Sequence, residues 1–401
     1  MEAYPRSADT VRQKVELAEV FARHGASFRA THNLAVVQQQ AMRAIEACRT
    51  ERLGGHIESC DACGQLRYHY HSCRNRSCPK CQTLAKERWL EARRAELLPV
   101  PYFHLVFTLP HDLNPLAQGN PRVIYTALFK AVAATLIEFG QNPRWLGGQI
   151  AATLVLHTWG QTLTQHLHLH CLVAAGALGA DGQWISSRRG FLFPVTALSQ
   201  VFRGKFIDTL ARAFDSGQIR FEGSTLTLAQ PAGRARFLAT LYRQSWVVYA
   251  KKPFGGPQNV LDYLGRYTHR IAISNNRLLS VDETCVRLRY KDYADRNRYK
   301  VMRLPADEFI RRFLLHVLPT GFVRIRHYGL MANGVKRAKL ALARRALVVP
   351  PPPTVQPTES IEAFWLRVAN LDIHQCPHSK TGRMRVVGLI CVPDARAPPK
   401  R

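Results

Sequence analysis

Along residues 11–47 the apolar positions Leu17, Val20, Phe21, Phe28, Leu34, Val37, Ala41 and Ile45 recur mostly at spacings of three, four or seven. That period predicts helix, with a break at Gly25. A basic stretch, 85–97, continues the helical pattern until Pro99 and Pro101 end it, and the alternating run 102–109 then opens a new unit as a strand. Beyond it, strand patterns fall at 151–159, 166–174, 219–228, 246–251, 271–281 and 284–291, and helical ones at 121–139, 197–216, 232–245, 257–270 and 305–317. Strands mixed with helices and apparent hairpins predict an α+β domain on an antiparallel sheet. Four prolines, Pro350 to Pro353, read as a stiff linker. Three parts follow: a helical, cysteine-rich head (1–98), a mixed domain (99–349), and a Pro-rich linker with a short basic tail (350–401).

Charge narrows the range of partners. The 401 residues carry 56 Lys+Arg against 28 Asp+Glu, a net charge of +28, while 46% hydrophobic content excludes a disordered chain. Such a field concentrates polyanions, above all nucleic acid. No apolar run approaches the roughly 20 residues of a membrane span, and the first residues lack the apolar core of a signal peptide, so a soluble intracellular protein without a membrane partner is expected.

Six of the ten cysteines lie between Cys48 and Cys81. In a reducing compartment such crowding points to metal rather than disulfides. Cys60-x-x-Cys63 and Cys78-x-x-Cys81 have the spacing of a structural zinc site, each pair forming a knuckle whose thiolates converge on one ion. Cys73, Cys48, His56 and His71 remain as further ligands, enough for a second ion. Basic residues around the cluster suit phosphate contacts.

The stretch Gln165-His166-Leu167-His168-Leu169-His170-Cys171-Leu172-Val173 is the most informative in the chain. On a strand, His166, His168 and His170 share one face, and Leu167, Leu169, Cys171 and Val173 take the core side. The run 153–160 reads as the hairpin partner, bringing His157 beside His168 or His170. Neutral imidazoles leave the full charge on a divalent ion, which suits a Lewis acid acting on phosphate. Downstream, a helix over 257–270 would set Tyr263 and Tyr267 one turn apart on one face. A buried aromatic stripe explains that spacing alone, but Arg266, His269 and Arg270 beside it favour a phosphodiester.

An alternating histidine strand, two tyrosines four apart and a CxxC-rich basic head together resemble the HUH single-strand endonucleases, and most closely the rolling-circle transposases of the insertion sequence 91 family. The likeness runs through 72–82, 157–173, 263–279, 289–293 and 308–333. It implies an antiparallel HUH nuclease core of ferredoxin/RRM-like form, with His168 and His170 as ligands of a catalytic Mg2+ or Mn2+, and His157 or else His166 as the third. Tyr263 and Tyr267 would be paired nucleophiles that nick and join single-stranded DNA through 5′-phosphotyrosine links. Arg266, His269, Arg270, Arg324 and Arg326 would contact the DNA, and Zn2+ would be structural in the head. The family's tail carries a CPxC-type knuckle. Here Cys376-Pro377-His378-Ser379 lacks the second cysteine, which leaves no complete tail site unless His374 or His378 substitutes. No helicase motif is present, so host replication or helicase proteins would open the duplex, in the bacterial cytoplasm at the nucleoid. A plasmid initiator or conjugative relaxase would share this chemistry, but relaxases usually place the tyrosine before the histidines. A non-enzymatic zinc-ribbon regulator or an RNA-processing protein would leave the histidine strand and tyrosine pair unexplained.

Overall fold

The computed structural model describes residues 15–188, 190–254, 259, 265, 272–351 and 359–392. The expected mixture of helices and antiparallel sheets is what the chain adopts. At its centre lies a six-stranded sheet built from β3 (Tyr102–Thr108), β4 (Gln149–Trp159), β5 (Gln165–Leu178), β6 (Trp184–Ser186), β7 (Val248–Phe254) and β11 (Ile325–Gly329). Its order is β11-β4-β5-β3-β7, with β6 on the far end of β5, and every pairing is antiparallel.

The alternation along β5 decides which side is core. Leu167, Leu169, Cys171 and Val173 join Leu105 and Phe107 of β3 and Leu154 and Leu156 of β4 under two long helices, α5 (Pro121–Gln141) and α6 (Val195–Asp215). On the opposite face, Leu172, Ala174 and Tyr102 pack with Leu340 and Ala343 of α9 (Lys336–Ala346). That covering ends where the histidines begin. Helix α5 is long and apolar enough to cross a membrane, contrary to the expectation that no such run exists. It is instead a core helix, with 67% of its most apolar window buried in the fold.

A second sheet, β8 (Leu278–Val281), β9 (Cys285–Asp292) and β10 (Arg298–Pro305), shares a core with α8 (Ala306–Leu314) and the amino-terminal helices α1 (Leu17–Thr31) and α2 (Val36–Ala47). The chain does not break at Gly25, where a Cβ would sit 2.8 Å from the Glu46 carboxylate; the glycine permits close packing of α2 on α1, and the break falls at 32–35. The third sheet, β12-β1-β2, joins β1 (Gly55–Cys60) and β2 (Leu66–Tyr70) to β12 (Met384–Ile390). The carboxy-terminal segment therefore completes a sheet of the head instead of trailing as a free tail.

Two expected strands change. Residues 223–229 are a 3-10 turn, because the Thr225 hydroxyl donates to the Glu222 carbonyl and accepts from its N–H, and Gly223 takes φ +52. Of the described residues 272–281, only 278–281 is strand, preceded by a turn at 275–277. The expected helix at 257–270 lies outside the described residues, apart from Asn259 and Gly265.

Candidate functional site

Strands β4 and β5 bring three imidazoles together. The register pairs His157 directly with His168, and the pleat puts His170 on the same face two residues on. Ligand nitrogens of His157, His168 and His170 all lie within 4.8 Å of one another. The Nδ1–H of His168 donates to the His166 carbonyl (2.8 Å), leaving its Nε2 as a lone pair 3.2 Å from the Nε2 of His170. His157 stacks on Trp159, ring centroids 4.4 Å apart.

Burial sets the electrostatics. Desolvation, reinforced by neighbouring imidazoles, lowers His168 to about 3 and holds His170 well below its ordinary value. Both rings are therefore neutral at physiological pH, the form a metal ligand needs. His166 is lowered too, by burial and by His111, whose ring nitrogen lies 3.1 Å from its own. His166 is not among the rings whose ligand nitrogens converge, although its ring centroid lies 4.8 Å from that of His168.

One contributor escaped the sequence reading. His104 on β3 faces His170 across the sheet, its Nε2 2.8 Å from Nδ1 of His170. It is buried, and desolvation followed by the Lys251 charge lowers it to about 4. A neutral His104 accepting from Nδ1–H of His170 selects the tautomer whose Nε2 lone pair points at the cluster. Its only sequence signal is alternation within 102–109, which no local motif marks as chemical.

The cysteines divide differently from expectation. The two CxxC pairs do not meet; they belong to separate clusters. Cys48, Cys73, Cys78 and Cys81 form one, and Cys60, Cys63 and Cys376 form another. In the first, the Cys81 sulfur is 3.4 Å from Cys48 and 3.6 Å from Cys73. Four thiolates around one zinc at about 2.3 Å would stand about 3.8 Å apart, close to this packing. The Cys78 thiol, by hydrogen bonding, lowers Cys73 to about 5, while burial raises Cys48 to about 11. A dication is what lets all four ionise together.

Tyr263, Tyr267, Arg266, His269 and Arg270 lie outside the described residues. Gly265, between the tyrosines, packs on Leu90 and Lys86 of α3 (Gln82–Arg94), where a Cβ would come 2.8 Å from Leu90. Arg324 is half-buried beside Arg76, with burial and that second guanidinium both lowering its pKa. Arg326 lies flat over Phe129, 4.2 Å from its ring centroid, so packing occupies much of its surface.

These features are those of a DNA transposase with a zinc-binding head. Residues 20–109 match the family described as "Transposase zinc-binding domain", and 151–339 match that described as "Putative transposase". The chain is 48% identical over 377 residues to "Putative transposase y4qJ" of Sinorhizobium fredii, covering 93% of this chain and 95% of that one. It is 29% identical over 309 residues to "Transposase for insertion sequence element IS801" of Pseudomonas savastanoi pv. phaseolicola, covering 75% and 71%. Among solved structures, the conjugative relaxase TrwC in complex with OriT DNA aligns over 62% of this chain and 72% of its own, at 14% identity and a TM-score of 0.23. The chain belongs to the insertion sequence 91 family of transposases.

Proposed function

We propose that this transposase moves its element by rolling-circle transposition, nicking and rejoining single-stranded DNA through 5′-phosphotyrosine links on Tyr263 and Tyr267. The observation that carries the reading is the buried trio His157, His168 and His170, whose ligand nitrogens converge on one point of the sheet where its apolar covering ends. Three imidazoles with their lone pairs turned inward fit a divalent ion, and nitrogen donors suit Mn2+ better than Mg2+. When bound, such an ion withdraws charge from a scissile phosphate and leaves coordination positions for its oxygens.

The chain's own residues do the rest. Trp159 and His104 hold two of the rings in place. One tyrosine oxygen attacks phosphorus in line, its proton passing to solvent; the P–O3′ bond breaks and the departing oxygen takes a proton from solvent, giving a free 3′-hydroxyl and a phosphotyrosine. The link keeps the phosphodiester energy, so the reverse attack by a 3′-hydroxyl rejoins DNA without a nucleotide cofactor. Two tyrosines let one hold the first end while the other attacks a second strand. Catalysis is mainly positioning and charge stabilisation. In this reading 99–349, with its HUH core, carries the chemistry. Residues 1–98 grip phosphates together with the carboxy-terminal strand, and host replication or helicase proteins supply unwound DNA.

The test is the covalent adduct. With Mn2+ and a single-stranded oligonucleotide from the element's end, the protein should form an SDS-resistant complex that the double variant Tyr263→Phe/Tyr267→Phe does not. Persistence of the adduct in that variant would remove both tyrosines from the mechanism.

A further inference from the structure

We propose that Cys60, Cys63 and Cys376 bind a second zinc ion, with Ser379 in the fourth ligand position, so that the metal clasps the carboxy-terminal segment to the head. Cys376 lies 313 residues beyond Cys63 in sequence, yet the three sulfurs converge, Cys63 and Cys376 standing 3.8 Å apart. That separation is the edge of a thiolate tetrahedron around zinc, about 3.8 Å for bonds of about 2.3 Å.

The two halves of the site are built alike. In Cys60-Asp61-Ala62-Cys63-Gly64, the Gly64 N–H donates to the Cys60 carbonyl (3.0 Å) and Gly64 takes φ +67. In Cys376-Pro377-His378-Ser379-Lys380, the Lys380 N–H donates to the Cys376 carbonyl (3.1 Å) and Lys380 takes φ +63, unusual for a residue with a side chain. Backbone N–H groups point at sulfur in both, from Ala62 to Cys60 and from Ser379 to Cys376, each at 3.4 Å. Ser379 thus occupies in the second turn the place Cys63 holds in the first. Its hydroxyl oxygen is 3.6 Å from the Cys60 sulfur, and a tetrahedral zinc with one oxygen and one sulfur ligand would set them about 3.6 Å apart. Gly382 closes over the Cys60 sulfur, where any Cβ would collide. The buried apolar cluster at this corner is small, Cys60, Cys376 and Met384 among the described residues, so the strand pairing of β12 with β1 has little core beneath it.

A neutral hydroxyl is a far poorer zinc donor than a thiolate, so this ion should exchange more readily than the one at Cys48, Cys73, Cys78 and Cys81. The experiment uses the full chain, purified with zinc and dialysed under reducing conditions. Metal analysis should find two zinc ions per chain, and a chromogenic chelator should remove one in a fast phase. Cys376→Ser should lose one ion and the fast phase. Ser379→Cys should keep both ions and convert the fast phase to a slow one. A parent chain with one zinc, two ions retained in Cys376→Ser, or unchanged release from Ser379→Cys would each overturn the proposal. Should Cys376→Ser fail to fold, Ser379→Cys, which removes no ligand, still decides it. The zinc count does not depend on the nuclease reading, so either can fail alone.

Discussion

The four-thiol cluster and the three-imidazole cluster are linked through Trp159, which stacks on His157 and packs against the apolar core that includes Cys48 and Cys78. They differ in how completely the protein surrounds them. Cys48, Cys73, Cys78 and Cys81 offer four donors, enough to close a tetrahedron around one ion, with Cys48 and Cys78 buried in the core of Phe21, Ile45 and Phe313 and Cys73 and Cys81 at its margin. His157, His168 and His170 offer three donors on one side, at the point where the apolar covering of the sheet stops. A closed set is suited to holding a fold, and an open one to receiving a substrate atom. Under the proposed function, donor type and donor count together suit the two sets to these different uses.

The largest effect should separate those uses. Cys78→Ser should release zinc and unfold the head, since a structural zinc contributes on the order of 10 kcal/mol. His168→Ala should keep the zinc and nearly the parent Tm while losing the DNA adduct. Zinc content, thermal melts and adduct yield check both, and loss of zinc from His168→Ala would break the comparison. A smaller effect falls on His104. His104→Leu should weaken Mn2+ binding about 10- to 100-fold, measured by calorimetry without DNA, because the tautomer of His170 is no longer selected. His104→Gln, which keeps an acceptor, should recover most of the affinity; equal loss in both variants would reduce His104 to packing.

The last effect is on stability alone. His316 is fully buried, linking the Thr158 hydroxyl and the Leu163 carbonyl, and desolvation lowers it from 6.5 to about 4. Between those values the unfolded chain binds the extra proton, so stability is fully present above pH 6.5 and declines as pH falls towards 4. The loss should approach about 3 kcal/mol. Urea midpoints at pH 7 and pH 5 should differ in the parent and differ less in His316→Gln.

What could be read in advance was local. Alternation in 165–173 announced both the core side and the histidine face, and the hairpin with 153–160 followed from proximity; the sequence left His157 beside His168 or His170, and the register of the strands pairs it with His168. The cysteines were legible as metal ligands but not in their grouping, because spacing within a pair says nothing about which pairs meet. Cys376 joins Cys60 and Cys63 only through the pairing of β12 with β1, a contact no local pattern encodes. His104 was hidden for the same reason, its role arising from β3 lying against β5. The alternation at 219–228 misled because a short-range capping interaction at Thr225 outweighs a strand preference that finds no neighbouring strand.

The pairing of β12 with β1 also bears on the order of assembly. Gly55 lies opposite Ile390, so the head's sheet keeps an unpaired edge until residue 390 has left the ribosome. A product cut short before residue 384 would carry the histidine strand intact but present that raw edge to other chains. Premature stops late in the reading frame should therefore be felt first as self-association of the nascent protein, well before any catalytic group is lost.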